Sequence, residues 1–160
     1  MNQHTAIQKT VMIVDDLEDN RVLLERALQS SGYKTVSFET GKDAISYLAG
    51  DHVDIILLDW MMPGLSGYET LCAIRERHTA AELPVIMCTA LGEEDNIVDA
   101  IAAGANDYVT KPVSLPVLRA RMTRHLMQSD EVATLATEKD EAKRKLTEQT
   151  KRYFVSRAQG

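Results

Sequence analysis

Asp15, Asp16, Asp59, Thr89 and Lys111 are the residues whose types could do chemistry together. Each closes or follows a short apolar run: Thr10 to Val14 before the acidic pair, Ile55 to Leu58 before Asp59, Pro84 to Cys88 before Thr89, and Asn106 to Thr110 before Lys111. Carboxylates offer oxygen donors of the kind a hard divalent ion such as Mg²⁺ takes. An ammonium and a hydroxyl are donors suited to phosphoryl oxygens. An aspartate can also act as a nucleophile and form an acyl phosphate. Charge on transferring phosphoryl oxygens asks mainly for positioning and neutralisation. Each residue alone has a plainer reading. Asp59 could start a turn, Asp16 or Asp19 could cap a helix, Thr89 could be a simple strand former, and Lys111 a solvated loop residue.

Positioning must come from the elements. The stretch from Val53 to Gly64 holds four consecutive aliphatic residues, ends on Asp59 and breaks at Pro63-Gly64. That pattern suits a strand buried on both faces, as in a parallel sheet. Further strands are expected at Thr10–Val14, Lys34–Phe38, Pro84–Ala90 and Asn106–Thr110. Helical patterns lie between them. One runs from about Glu18 to Ser31, with Val22, Leu23, Arg26, Ala27 and Leu28 on one face; a second runs from Gly41 to about Leu48. A third follows Ser66, whose spacing to Glu69 is that of a capping box. A fourth carries Ile97, Val98, Ala100 and Ile101, with Glu93, Glu94 and Asp95 in its first turn, where the dipole favours acids. Alternating strands and helices predict a parallel sheet with helices on both faces. All strands then end on one edge, so the residues named above converge where open α/β sheets place ligands.

Composition narrows the function. The chain has 160 residues, one Trp and two Phe, and no apolar run of transmembrane length. No membrane insertion is expected. Cys72 and Cys88 have no metal-ligand spacing and read as reduced thiols, which with the polar N-terminus suggests a cytoplasmic protein. Residues 1–127 carry a net charge of −7 and residues 128–160 a net +1. An acidic front domain argues against nucleic-acid binding, which needs clustered Lys and Arg. His4, His52, His78 and His125 show no mutual spacing, and surface roles are expected for them.

The acidic pair Asp15-Asp16, the run Asp59-Trp60-Met61-Met62-Pro63-Gly64, Gly67, Thr89-Ala90, Gly104-Ala105 and Tyr108-Val109-Thr110-Lys111-Pro112 together resemble the receiver domain of two-component response regulators. The likeness covers about Thr10 to Met127. It implies a flavodoxin-like, doubly wound five-stranded parallel sheet of order 2-1-3-4-5. It implies that Asp59 accepts a phosphoryl group from a histidine kinase or a phosphotransfer protein. Asp16 and Asp59 would hold Mg²⁺ together with the Met61 carbonyl, and Asp15 would act through water. Lys111 would pair with Asp59 at rest and with a phosphoryl oxygen afterwards, next to a cis Lys111–Pro112 bond. Thr89 would move to the phosphoryl group and Tyr108 would follow inward, changing the surface of the fourth helix, fifth strand and fifth helix. Met61 and Leu91 would tune phosphoryl lifetime.

The same resemblance implies no enzyme activity beyond the chain's own phosphorylation and dephosphorylation. A haloacid-dehalogenase-like phosphohydrolase would need an Asp two residues after the nucleophile, where this chain has Met61. A flavin-binding flavodoxin would need a hydroxyl- and glycine-rich loop where this chain has Asp15-Asp16-Leu17-Glu18.

The last helix is expected to begin after Ser114 and to pack through Leu115, Leu118, Met122 and Leu126. No Gly or Pro interrupts from there to Gly160. Val132, Leu135, Lys139, Ala142, Leu146, Gln149 and Tyr153 fall at alternating three- and four-residue steps, a partly apolar heptad seam. It is out of phase with the earlier face, as across a stutter. The expected divisions are a flexible N-terminus over 1–9, a receiver over 10–127 and a helical coiled-coil extension over 128–160 that makes a homodimer. Asp107 to Leu126 also resembles receivers attached to nucleotide cyclases or cyclic-dinucleotide phosphodiesterases. The alternative is a stand-alone receiver acting by protein–protein interaction.

Overall fold

Period-two burial organises the sheet. In the computed structural model, which describes residues 8–90 and 92–158, five parallel strands pair in the order β2-β1-β3-β4-β5. They are β1 (Thr10–Val14), β2 (Lys34–Phe38), β3 (Ile55–Asp59), β4 (Val85–Ala90) and β5 (Asp107–Lys111). Every residue of β3 is buried, as an apolar central strand requires. Alternate side chains reach opposite faces. Met12, Val14, Ile56, Leu58, Val85 and Met87 join one core cluster with residues of α2 (Gly41–Leu48), α3 (Gly67–Arg75) and α4 (Glu94–Ala102). Val11, Ile13, Ile55, Leu57, Ile86 and Cys88 join the other with residues of α1 (Glu18–Ser30) and α5 (Leu115–Ala158). Fully burying one such aliphatic side chain is worth roughly 1.5–3 kcal/mol.

The register is continuous across the middle of the sheet. Val14 lies beside Leu58, and Asp59 beside Cys88. Thr89 pairs with Thr110 and Ala90 with Lys111. The functional strand ends therefore share one edge, as expected.

Several local expectations need correction. Leu17 is the N-cap residue of α1 and makes no side-chain cap bond, so neither Asp16 nor Asp19 caps it. The face that α1 buries is Leu24 and Leu28, while Leu23 is 61% exposed. Leu24 and Leu28 are one helical turn apart on the sheet side, and Leu23 is turned from them by a residue step. In α4 only Ala100 is buried, and Val98 and Ile101 are exposed. The capping box of α3 is present: Ser66 Oγ accepts from Glu69 N–H, and the Glu69 carboxylate accepts from Ser66 N–H.

The fifth helix runs unbroken for 44 residues. Its buried residues are Leu118, Met122, His125 and Leu126. From Asp130 to Ala158 every residue is exposed. No helix of the described residues is long and apolar enough to cross a membrane. Residues 1–7, most of the expected flexible N-terminus, lie outside the described residues, as do Leu91 and residues 159–160.

Candidate functional site: an acidic pocket at the carboxyl edge of the sheet

Asp15 and Asp59 are buried, 3% and 5% exposed, and Asp16 is half-buried. Carboxylate oxygens of the three lie within 4.8 Å of one another. Adjacent strand ends enforce this proximity, because Asp59 ends β3 and the acidic pair follows β1, its neighbour in the sheet. Like charges so close are costly unless a cation offsets them. Lys111 is that cation: its Nζ donates to Asp59 Oδ1 at 2.9 Å and to Asp15 Oδ2 at 3.1 Å. Lys111 stands at the end of β5, and its bond to Pro112 is cis.

The charge balance still favours the acids. Burial, above all, pushes the Asp59 carboxyl up to about 6; Lys111 opposes the rise, and Asp15 and Asp16 add to it. Burial pulls Lys111 down, but Asp59 and Asp15 together hold it above the ordinary lysine range. Nearby, burial pushes the Cys88 thiol up to about 12, so it stays a neutral part of the core.

One further feature fits a phosphoryl group. Thr89 is wholly buried at the end of β4, and its Oγ1 has no hydrogen-bond partner among the described residues. Such a hydroxyl is costly to leave unpaired. Gly67 lets the start of α3 pack closely on the backbone that carries Asp59. A Cβ at that position would lie 2.0 Å from the Asp59 carbonyl oxygen, so α3 can start against the end of β3 only with glycine there. Trp60, the residue after Asp59, is nearly buried and meets the Tyr68 ring edge-on, with centroids 5.9 Å apart. Met61 follows with its side chain 65% exposed. The all-oxygen acid set has the donor chemistry of a Mg²⁺ site.

Tyr108 lies away from the acids, half-buried on β5. The Arg121 guanidinium sits over its ring, 5.6 Å from the centroid. Arg121 also pairs with Asp107 Oδ1, which in turn accepts from the Tyr108 N–H at 2.9 Å. His125, expected at the surface, is 6% exposed, and its Nε2 lies 3.0 Å from Asp107 Oδ2. The correction has a simple cause. Arg121 and His125 are one helical turn apart, so both meet the first residue of β5. Burial alone would raise Asp107, but His125, the Tyr108 amide and Arg121 outweigh it and hold its carboxyl below the usual range.

Sequence reasoning also missed Asn20 and Arg75. Asn20 Nδ2 donates to both oxygens of Asp15, at 3.3 and 3.1 Å. Arg75 donates to the carbonyls of Gly104, His78 and Leu83 and to Asn106 Oδ1. Burial pulls its guanidinium down to about 10. The only available signal for Asn20 was its nearness in sequence to the acidic pair, and side-chain bonds to carbonyls follow no period that could have marked Arg75.

A five-stranded parallel sheet of this order, with an acidic pocket and a lysine at its carboxyl edge, defines a phosphoryl-accepting regulatory module. Residues 11–123 match the family described as "Response regulator receiver domain", and the chain belongs to that family. Members of the family accept a phosphoryl group and bind Mg²⁺ at an acidic pocket.

Among similar proteins is the phosphate regulon transcriptional regulatory protein PhoB of Pseudomonas aeruginosa, 40% identical over 116 residues, or 72% of this chain and 51% of that protein. The "Probable cyclic di-GMP phosphodiesterase" of Vibrio cholerae is 34% identical over 140 residues, 88% of this chain and 32% of that protein. The solved receiver domain of the Francisella response regulator 1452 superposes with a TM-score of 0.70 at 28% identity, covering 76% of this chain and 99% of that one. The chain spans about half the length, or less, of these two curated relatives.

Proposed function

We propose that this chain is the phosphorylation-controlled input of a response regulator, with Asp59 as acceptor. The observation that carries the reading is the shared lysine. Lys111 bridges Asp15 and Asp59 beside a buried Thr89 hydroxyl that lacks a partner among the described residues. In this reading a carboxylate oxygen of Asp59 attacks phosphorus as the donor's bond to it breaks. The donor is a phosphohistidine of a histidine kinase or a phosphotransfer protein. Lys111 then turns to a phosphoryl oxygen, and Thr89 Oγ1 donates to another. Asp16, Asp59 and the Met61 carbonyl would hold Mg²⁺, with Asp15 acting through water. The bound ion supplies positive charge against the phosphoryl oxygens.

The Thr89 shift makes room for Tyr108 to turn inward, away from Arg121, which changes the surface of α4, β5 and α5. Residues 10–127 serve as the receiver and 128–160 as a helical extension. Val132, Leu135, Leu146 and Tyr153 are exposed on that extension. A lone helix is marginal in water, which supports pairing with a second copy as a coiled coil. Phosphorylation controls that dimer or an attached output domain. Likeness to the Vibrio cholerae phosphodiesterase over 140 residues supports a cyclic-dinucleotide enzyme as the output. A nucleotide cyclase is the other candidate. In this reading the chain is cytoplasmic, binds no nucleic acid itself, and has no catalytic output of its own.

The test is incubation with Mg²⁺ and a small acyl-phosphate donor, followed by intact-mass measurement. One phosphoryl adduct is expected, lost completely in Asp59→Asn. An adduct that survives in that variant would place the chemistry elsewhere.

A further inference from the structure

We propose that Asn20 is a positioning residue for phosphoryl acceptance: its carboxamide keeps the Asp15 carboxylate partnered when Lys111 leaves it for the phosphoryl group. The inference rests on Asp59 being the acceptor. Asp15 is almost wholly buried. Its carboxylate accepts from the Leu17 N–H at 2.9 Å, from Asn20 Nδ2 through both oxygens, and from Lys111 Nζ at 3.1 Å. Lys111 is the one cation on that carboxylate among the described residues, and it is also bonded to Asp59. A phosphoryl group on Asp59 draws Lys111 to itself. A buried carboxylate that loses a charged donor and keeps few neutral ones is costly. With Asn20 in place, Asp15 retains a donor to each oxygen.

The residue type suits this role. A carboxamide donates without adding charge, so it leaves the pocket's attraction for a divalent cation intact. The neighbouring cation is directed elsewhere: Arg21 donates to the Asp15 carbonyl at 2.6 Å and not to the carboxylate. Asn20 lies on the first turns of α1, which starts two residues beyond the acidic pair. Helix geometry, not a flexible loop, therefore aims the amide at Asp15.

Two variants separate positioning from packing. Asn20→Leu removes the donors and keeps bulk, and Asn20→Asp keeps the shape and replaces the donors with acceptors. Phosphoryl uptake is followed by intact mass at saturating Mg²⁺ with acetyl phosphate. Mg²⁺ affinity is read from the fluorescence of Trp60, the chain's single tryptophan, one residue from Asp59. The uptake rate is expected to fall about tenfold in both variants, equivalent to ~1.4 kcal/mol on the barrier. Mg²⁺ affinity should weaken in Asn20→Leu and not in Asn20→Asp, where the added carboxylate attracts the ion. Thermal melts in chelator should match the parent for Asn20→Leu and fall for Asn20→Asp, whose added carboxylate meets Asp15 with no divalent cation between them.

Uptake at the parent rate in either variant overturns the proposal. So does weakened Mg²⁺ affinity in both variants with a lowered melt of Asn20→Leu in chelator, which marks a structural brace. A parent chain that takes up no phosphoryl group sinks the acceptor reading itself. Normal uptake in parent and variants alike sinks only the role of Asn20.

Discussion

The two ends of β5 are built to opposite rules. At its carboxyl end, Lys111 pairs with two of three clustered carboxylates, the Thr89 hydroxyl has no partner among the described residues, and Asp59 is raised to about 6. At its amino end, Asp107 is matched by Arg121, His125 and a backbone amide, and its carboxyl is lowered. Arg75, close by, has carbonyl and amide acceptors for each of its nitrogens. One end of the strand holds more acid than cation, while at the other the carboxylate is matched, although Arg121 Nε itself has no partner among the described residues. Unbalanced charge and unpaired donors give a site its capacity to respond to an added group. Satisfied networks hold the scaffold still while it does so.

The contrast can be broken most strongly at Arg75. Replacing it by Met leaves the Gly104, His78 and Leu83 carbonyls short of a donor. Stability should fall by about 3 kcal/mol, because four part-buried bonds from one charged donor group are lost together. Urea denaturation at neutral pH measures it, and a loss close to zero would show that water replaces the guanidinium freely.

The opposite sign is expected at Asp59. Its folded pKa, about 6, lies above the ordinary 3.8, so the folded state holds the proton more tightly than the unfolded state. Ionisation therefore costs stability as pH rises through that window. The cost is absent below the ordinary value and complete above about 6. Asp59→Asn removes it and should stabilise the metal-free protein by on the order of 2 kcal/mol at neutral pH. The gain should vanish on acidification below the ordinary aspartate pKa. Melting temperatures in chelator across pH follow it, and a variant less stable than the parent at neutral pH would contradict the imbalance.

The smallest effect sharpens the boundary between the two behaviours. Ser66→Ala deletes the cap of α3, which begins against the Asp59 carbonyl. A loss of about 1 kcal/mol is expected, the usual worth of such a cap. Phosphoryl uptake should stay close to the parent rate, since Ser66 bonds Glu69 and Thr70 and none of the acidic residues. A large fall in uptake would extend the responsive region into the helix start.

The same division governs what could be read from residues alone. The strand ends were legible, because apolar runs closed by Asp, Thr and Lys on parallel strands must share an edge. The capping box was legible for the same local reason. The strand order came from family likeness, since periodicity does not encode which strands are neighbours. The satisfied end was largely invisible. Arg75 and His125 act through bonds to backbone or to residues distant in sequence, and no pattern marks them; at the acidic end, Asn20 had only its nearness to Asp15 to mark it. Leu23 and Leu24 show a smaller limit. Both are leucines next to each other, and only the helix's rotation on the sheet decides which is buried.

The fifth helix has a mechanical consequence. Its 44 residues span about 66 Å at the α-helical rise. Its buried residues end at Leu126 and its last contacts with the domain are Ser129 Oγ to the Glu82 carbonyl and Asp130 with Lys9, so roughly 42 Å of it projects past the last anchoring side chain. A stiff rod of that length magnifies small movements at its root. A tilt of about 5° where α5 leaves the sheet would carry its far end about 4 Å, roughly two-thirds of a helical turn. The receiver need shift only slightly for whatever meets the end of the helix to be displaced by the width of a side chain.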